Sequence, residues 1–138
     1  YAPNELILID NTEFNLYKIE QELLAMYPEH SITPRLVDVT DAVAVEHVMK
    51  TYRPDTIYHA AAYKHVPLLE EQIRQATRNN IVGTNTIAQA ADKYGVQEFV
   101  LVSTDKAVNP SNIMGTTKRV FHDYSGSLSA NYAISDYG

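Results

Sequence analysis

Short apolar runs alternate with stretches of helical periodicity along most of this 138-residue chain. Residues 5–10 form a run rich in β-forming side chains, and residues 13–27 then repeat apolar positions three and four apart, as a helix with one buried face does. Asn11 or Thr12 can cap that helix. The pattern then predicts three more strands and two more helices: strands at 35–39, 55–60 and 98–102, a helix capped by Thr40, and a long helical stretch that ends at Gly95.

The predicted strands are too apolar to face water on one side, and helices separate them in sequence. These two features indicate an α/β fold with a doubly wound, Rossmann-like parallel sheet that is covered on both faces. Such a fold opens with a strand and a glycine-rich turn that binds a pyrophosphate at a helix N-terminus. No glycine precedes Gly83, so we expect the first strand and the glycine-rich loop to be missing from this chain.

The missing strand would lie at the centre of the sheet in the usual strand order, so we expect two half-sheets with unpaired edges. We therefore expect the chain to be part of a larger protein, with residues 1–121 forming a partial NAD(P)-binding Rossmann domain. Residues 122–138 are mostly polar, small and aperiodic. We interpret them as a loop, a tail or a non-contiguous segment of unknown role.

Hydrophobic residues make up 45% of the chain and charged residues 20%, which is typical of a globular protein rather than a disordered one. The net charge of −6 does not favour binding to nucleic acids or to a membrane surface. The lack of cysteine excludes disulfides and thiolate metal sites, and no apolar run approaches the roughly 18 residues that span a bilayer. We therefore expect no nucleic-acid partner and no membrane contact from this segment.

Polar and small side chains follow the predicted strands at the points where the strands end, which is the edge at which parallel sheets bind ligands. Asp10 ends the first strand, where an acidic residue usually binds ribose hydroxyls. Asp38 and Val39 end the second strand, His59-Ala-Ala-Ala-Tyr-Lys-His65 ends the third, and Ser103-Thr-Asp-Lys106 ends the fourth. The two histidines lack a third ligand at suitable spacing, so we predict no metal site.

Taken together, the sequence resembles the extended short-chain dehydrogenase/reductase superfamily, and more narrowly the bacterial nucleotide-sugar 4,6-dehydratases of polysaccharide biosynthesis. The resemblance covers residues 5 to about 120 and rests on LILIDNTEFNLYKIEQEL, PDTIYHAAAYKHVPLLE, NNIVGTNTIAQAA and FVLVSTDKAVNPSNIMGTTKRV. It implies an NAD-dependent lyase that converts UDP-N-acetylglucosamine, a UDP-N-acetylhexosamine, to a UDP-4-keto-6-deoxy sugar for capsule, lipopolysaccharide or other glycans. It also implies a cytoplasmic homo-oligomer, with any tether to the inner membrane carried by sequence outside this chain.

The resemblance also implies roles for individual residues. Asp10 would bind the adenosine ribose and favour NAD over NADP, because a carboxylate repels a 2′-phosphate. Oxidation at C4 of the sugar acidifies the C5 hydrogen, so Lys106 would act as the base at C5 and Asp105 as the acid at the C6 hydroxyl. The remaining cofactor contacts would come from Asp38, Val39, Ala60, Ala61, Ala62, Ser103 and Lys118, the substrate contacts from Lys64 and Asn80, and the catalytic groups from Thr104, Asp105, Lys106, Met114 and Lys118.

Met114 stands where related enzymes often carry the tyrosine of a Tyr-x-x-x-Lys pair, and Lys118 keeps its place one helical turn later. A thioether does not exchange a proton, so the C4 proton would pass to Thr104, Asp105 or Lys106, or to a water held between them. The resembling enzymes include a branch with methionine at this position, which the substitution indicates. The alternative is a packing methionine in a non-catalytic homologue.

Two other functions stay open at this point. A nucleotide-sugar epimerase of the same superfamily is one, although the Asp105-Lys106 pair argues against it because C4 epimerisation needs no elimination catalysts. A non-catalytic nucleotide-binding or regulatory domain is the other, and the missing glycine-rich loop supports it. For these 138 residues alone we expect no turnover.

Overall fold

The computed structural model describes residues 3–61, 71–103 and 131–136 of the chain. These residues fall into two compact units, Tyr1–Asp38 and Val39–Gly138, and the strands within each unit are parallel. The elements in chain order are β1 (Glu5–Asp10), α1 (Glu13–Met26), β2 (Ser31–Leu36), α2 (Ala42–Tyr52), β3 (Thr56–His59), α3 (Ile73–Thr77), a π-helical segment (Arg78–Gly83), α4 (Thr84–Lys93), β4 (Glu98–Ser103) and β5 (Asn131–Asp136).

The first unit is a strand–helix–strand unit in which β1 and β2 pair in parallel, with Leu8 opposite Pro34. The sequence prediction of a strand at 35–39 is therefore wrong, because β2 begins at Ser31 and ends at Leu36. Proline lacks the backbone N–H and weakens a strand signal, yet it is tolerated where a strand lies at a sheet edge. Helix α1 begins and ends where the periodicity predicts, with Leu16 as its buried residue.

The second unit contains the three-stranded sheet β3–β4–β5, with β4 in the middle. Its central strand buries Phe99, Val100 and Leu101, and this burial supplies much of the unit's core. Strand β5 corrects the interpretation of residues 122–138 as a loop or tail, because Asn131–Asp136 pairs with β4 along its full length. Its only large apolar residues are Tyr132 and Ile134, and pairing with a buried neighbour stabilises such a short strand.

Helix α2 packs against α4. It buries Val45, Val48 and Met49, as its periodicity predicts. Its N-cap is Asp41 rather than Thr40, since the Asp41 carboxylate accepts hydrogen bonds from the backbone N–H groups of Val43 and Ala44 at 3.1 Å each. A carboxylate reaches the N2 and N3 amides and favours the positive end of the helix dipole, which explains why Asp41 takes this place.

The strand arrangement agrees with the expected α/β class and with the expectation of two half-sheets. The described residues form one sheet of two strands and one sheet of three strands. Helices separate the successive strands up to β4. In the described ranges, no helix is both long enough and apolar enough to cross a membrane.

Four polar side chains join α2 to the end of α4 on the protein surface. The ammonium of Lys93 donates to the Glu46 carboxylate, and the Tyr94 hydroxyl donates to the same carboxylate at 2.8 Å. The Arg53 guanidinium lies 5.3 Å from the centroid of the Tyr94 ring. The hydrogen bond from Lys93, followed by that from Tyr94, lowers the pKa of Glu46, and the same bonds raise the pKa of Lys93 and of Tyr94.

We expect a Glu46→Gln variant of the intact protein to lose part of its acid sensitivity. Because the pKa of Glu46 is lower in the folded chain than its ordinary value of 4.5, ionised Glu46 favours folding above that pH, and the contribution disappears as the pH falls through the folded pKa. Urea unfolding between about pH 6 and pH 3 measures how this contribution to the free energy of unfolding changes with pH. The wild type should lose slightly more stability than the variant, because exposed ion pairs contribute little. A Glu20→Gln control makes the same charge change on α1, and equal acid sensitivity in wild type and Glu46→Gln would contradict the prediction.

Candidate functional site

Asp10 is held at the carboxyl end of β1 by two hydrogen bonds. Its carbonyl accepts the backbone N–H of Val37 at 3.0 Å, and Oδ1 of its carboxylate accepts the backbone N–H of Thr12 at 2.7 Å. The second bond ties the carboxylate to the residue that caps α1. Asp38 is exposed just beyond the end of β2, which is parallel to β1, so both acids follow strand ends at one edge of this sheet. The structure therefore places the Asp10 carboxylate at the carboxyl end of a parallel strand, and its contact with ribose hydroxyls stays a prediction.

In the second unit, Val39 packs against the backbone of the π-helical segment. Only 7% of Val39 is exposed, and a Cβ built at Gly83 would lie 2.7 Å from its Cγ2 and 3.4 Å from the Cγ2 of Thr40. Glycine is therefore required at position 83 by close approach rather than by backbone conformation. The predicted contact of Val39 with adenine stays a prediction.

The carboxyl end of β3 is linked to the π-helical segment by an asparagine that the sequence reasoning missed. Ala60 and Ala61 follow β3 and are exposed, and the carbonyl of Ala61 accepts a hydrogen bond from Nδ2 of Asn79 at 2.9 Å. The same Nδ2 donates to Oδ1 of Asn80 at 3.1 Å. Both asparagines are buried. The predicted substrate residue Asn80 is thus oriented by its neighbour Asn79.

A second link joins β3 to the start of α4. Nε2 of His59 and Oγ1 of Thr84 form a hydrogen bond of 2.8 Å, and both residues are buried. The His59 ring also lies 6.0 Å from the ring of Phe99 in β4. His59 is therefore a hydrogen-bonded core residue at the carboxyl edge of the sheet. The sequence signal for this link was weak, because neither a lone histidine nor a lone threonine predicts its partner.

The π-helical segment Arg78–Gly83 interrupts a stretch that the sequence predicts as one continuous helix. Such turns are rare and frequently occur at functional sites. The sequence contains one clue to it, the adjacent buried pair Asn79 and Asn80 inside an otherwise regular helical pattern. Buried amides need hydrogen-bond partners, and the irregular turn lets the Asn79 side chain reach the end of β3.

The ends of β3 and β4 lie at the same edge of the second sheet. His59 is opposite Leu101 in the parallel ladder, and Ser103, a predicted cofactor contact, ends β4 opposite Asp136 of β5. Ser103 is also the last described residue before the Thr-Asp-Lys motif. The predicted residues that lie outside the described part of the chain are Ala62, Lys64, Thr104, Asp105, Lys106, Met114 and Lys118.

In each unit, the described residues at the strand ends provide hydrogen-bonding groups or exposed backbone. No group of three or more His, Cys, Asp or Glu residues that could hold a metal ion occurs within residues 3–61, 71–103 and 131–136. In one unit the Asp10 carboxylate is fixed at a strand end, and in the other the exposed alanines leave the backbone of the β3 end accessible. A carboxylate accepts from hydroxyls and small side chains permit close approach, so these residues suit a nucleotide.

Solved structures with the same fold are Rossmann-fold enzymes. Pen from Bacillus thuringiensis matches with a TM-score of 0.86 at 24% identity, over 99% of this chain and 42% of that one. A UDP-glucose 4-epimerase of Thermus thermophilus in complex with NAD matches with a TM-score of 0.78 at 20% identity, over 97% of this chain and 55% of that one. A dTDP-4-dehydrorhamnose reductase of Bacillus anthracis in complex with NADP matches with a TM-score of 0.73 at 29% identity, over 96% of this chain and 52% of that one. The chain therefore has a partial Rossmann-type α/β fold, and two of these three neighbours were solved in complex with NAD or NADP.

The family model described as "Polysaccharide biosynthesis protein" matches residues 1–135. The chain therefore belongs to this polysaccharide biosynthesis family, and the resemblance seen in its sequence is confirmed. The match extends beyond residue 120, the limit expected from the sequence, and includes most of β5. The chain is related to NAD-dependent short-chain dehydrogenase/reductase enzymes that include dehydratases and epimerases.

Three named relatives show how far the likeness reaches. The chain is 45% identical over 120 residues to "Probable polysaccharide biosynthesis protein EpsC" of Bacillus subtilis, covering 86% of the chain and 20% of that protein. It is 45% identical over 121 residues to "Capsular polysaccharide biosynthesis protein CapD" of Staphylococcus aureus, covering 87% and 20%. It is 28% identical over 145 residues to "UDP-N-acetylglucosamine 4,6-dehydratase (inverting)" of Campylobacter jejuni, covering 100% and 42%. The chain thus spans a fifth of the length of EpsC and CapD.

Proposed function

We propose that the intact protein is an NAD-dependent nucleotide-sugar 4,6-dehydratase that converts UDP-N-acetylglucosamine to a UDP-4-keto-6-deoxy sugar for bacterial polysaccharide biosynthesis. The observation that carries this proposal is the match of the whole chain to the Campylobacter jejuni relative named for that reaction. The sequence adds the Thr104-Asp105-Lys106 motif directly after β4. Membership of the polysaccharide biosynthesis family is consistent with the product's use.

The residues at the strand ends suit the binding of the dinucleotide. Asp10 presents a carboxylate whose position is set by the Thr12 amide, and carboxylates accept hydrogen bonds from ribose hydroxyls. The same negative charge disfavours a 2′-phosphate, so we propose NAD as the cofactor rather than NADP. Bound NAD would supply a hydride acceptor for C4 of the sugar and later return the hydride to C6. The proton of the C4 hydroxyl would pass to Thr104, Asp105 or Lys106, or to a water held between them.

The chain's own residues would carry out the elimination while C4 is a ketone. The neutral amine of Lys106 would remove the C5 proton, because a C4 ketone accepts the resulting negative charge as an enolate. Asp105 would give a proton to the C6 hydroxyl as the C6–O bond breaks, so that one water leaves. Lys118 would orient the nicotinamide ribose. Met114 would fill space beside it, because its thioether does not exchange a proton.

The proposal also includes where the protein acts and how it assembles. We propose a cytoplasmic homo-oligomer that takes a UDP-N-acetylhexosamine as its substrate partner. The structural neighbours and the Campylobacter jejuni relative support a nucleotide-sugar substrate. Any membrane attachment would lie outside the described helices.

The direct test is to incubate the intact protein with UDP-N-acetylglucosamine and NAD and to measure the mass of the nucleotide-sugar product. A product lighter by one water supports the proposal. An isomerised sugar of unchanged mass would contradict the proposal and favour the second candidate, an epimerase. This candidate is supported by the similarity in fold between this chain and the Thermus thermophilus UDP-glucose 4-epimerase. Binding of the nucleotide sugar without any product would favour a non-catalytic domain.

A further inference from the structure

The hydrogen bond between His59 and Thr84 joins the last residue of β3 to the first residue of α4. His59 is 4% exposed and Thr84 is 3% exposed, so both polar groups have been removed from water. Burying such groups costs free energy unless they are paired, and an apolar pair of similar size would fill the same space without that cost. A polar pair here fixes geometry, because both groups are paired only when β3 and α4 keep this arrangement.

A second bridge spans the same two segments. Ala61 lies two residues beyond His59, and its carbonyl accepts from Asn79, which lies five residues before Thr84. In an α-helix, residues five apart point about 140° away from each other, because each residue rotates the chain by about 100°. In a π-helical turn, which closes i to i+5 hydrogen bonds, they lie close to the same face. The π-helical segment therefore lets Asn79 and Thr84 both reach the end of β3.

The two bridges determine how the ligand-binding edge is presented. Nδ2 of Asn79 donates to both the Ala61 carbonyl and Oδ1 of Asn80, so the Asn80 amide is oriented with its oxygen toward Asn79. The Ala61 carbonyl is held toward the helix, which sets the direction of the exposed backbone at Ala60 and Ala61. A shift of the helix relative to β3 would move both the amide pair and this backbone together.

We propose that His59 and Thr84 are positioning residues for nucleotide binding: their buried hydrogen bond holds the π-helical segment against β3, so that the Asn79–Asn80 amides and the Ala60–Ala61 backbone keep one orientation toward a dinucleotide. This inference rests on the proposed function, because it takes NAD as the ligand of that edge. Neither residue is assigned a part in the chemical steps.

The test compares Thr84→Val, which keeps the shape of the side chain but removes its hydroxyl, with Thr84→Ser, which keeps the hydroxyl. NAD affinity of the intact protein is measured by titration calorimetry, and the thermal midpoint is measured in parallel. We expect Thr84→Val to weaken NAD binding about tenfold, because loosening the helix from β3 would leave only about a tenth of the molecules in the orientation that binds the dinucleotide. Thr84→Ser should restore affinity to within about twofold of wild type, as the hydroxyl alone carries the bond.

The matched control is Thr86→Val, because the Thr86 hydroxyl donates to the carbonyl of Val82, within the same helical stretch rather than across to β3. It should leave NAD affinity unchanged. A lowered thermal midpoint in Thr84→Val with unchanged NAD affinity well below that midpoint would show a purely structural role and overturn the inference alone. Failure of the wild type to bind NAD would overturn the proposed function, and this inference with it.

Amide hydrogen exchange of the wild type gives a measurement that does not depend on a folded variant. NAD is expected to slow exchange in the π-helical segment and at the end of β3, because both are proposed to contact the bound dinucleotide. Slower exchange at Asn79 and Asn80 supports the proposal. Unchanged exchange at these two residues in NAD-saturated protein would overturn it.

Discussion

Replacing Lys106 with alanine in the intact protein is expected to reduce kcat for water elimination by a factor of about 10² to 10⁴. The reason is that removal of the C5 proton needs a positioned base, and an alanine offers none. The rate of formation of the dehydrated UDP-sugar, followed by mass spectrometry, measures the effect. The KM for the nucleotide sugar should change much less than kcat, because the interaction is made mainly in the transition state.

Two comparisons make the Lys106 result specific. Lys50→Ala removes an exposed lysine of α2 and should leave kcat unchanged. Met114→Leu keeps the apolar volume and removes the sulfur, so a small effect is expected if Met114 only fills space. Dehydration at the wild-type rate by Lys106→Ala would contradict the assignment of the base, and a severe defect in Met114→Leu would show that the sulfur has a further role.

Gly83→Ala is expected to destabilise the protein by about 1 to 3 kcal/mol, the usual cost of forcing extra volume into a packed interior. The new Cβ would lie 2.7 Å from Cγ2 of Val39, a buried side chain with little room to move. Urea unfolding of the intact protein measures the change in the free energy of unfolding. Adding Val39→Ala should relieve the clash, so that the double variant is more stable than the sum of the two single effects by about 1 kcal/mol.

Gly95→Ala is the matched control for this experiment. Gly95 has a φ of 73°, and among the described atoms none lies within 4 Å of a Cβ built there. It should lose roughly 1 to 2 kcal/mol through backbone strain, which is the cost of the left-handed conformation for a residue with a Cβ. Val39→Ala should not rescue that loss. Strict additivity of Gly83→Ala and Val39→Ala would contradict the packing explanation.

Much of the fold could be predicted because it depends on local periodicity. Helices α1 and α2 and strands β3 and β4 begin and end within a few residues of the positions that the apolar pattern indicates. The predicted position of β2 was wrong because Pro34 weakens the strand signal in the sequence. Strand β5 was not predicted because two large apolar residues do not define a strand without its partner β4. The sequence predicts Thr40 as the N-cap of α2, but the structure has Asp41 there. Both residue types are good caps, so the reach of the side chain to the helix amides decides between them.

The sequence predicts which residues lie at the strand ends of the candidate site, but it does not predict the buried hydrogen bonds that hold them. The acidic end of β1 and the small residues after β3 follow from the rule that parallel sheets bind ligands at their carboxyl edge, and Asp10 and Ala61 lie there. The roles of Asn79 and Thr84 could not be predicted, because their partners lie 18 and 25 residues away in sequence. A buried polar group reveals its function only through the group that it contacts.

By itself, the sequence determined the α/β class, the acidic residue at the first strand end and the family, because these depend on periodicity and on residues at fixed spacing. Only the tertiary structure decided that the helix after β3 contains a π-helical turn and that His59 pairs with Thr84. It also decided that Gly83 lies against Val39. These features arise from contacts between segments that are distant in the chain, and the free energy of such contacts is absent from any local pattern of hydrophobic and polar residues.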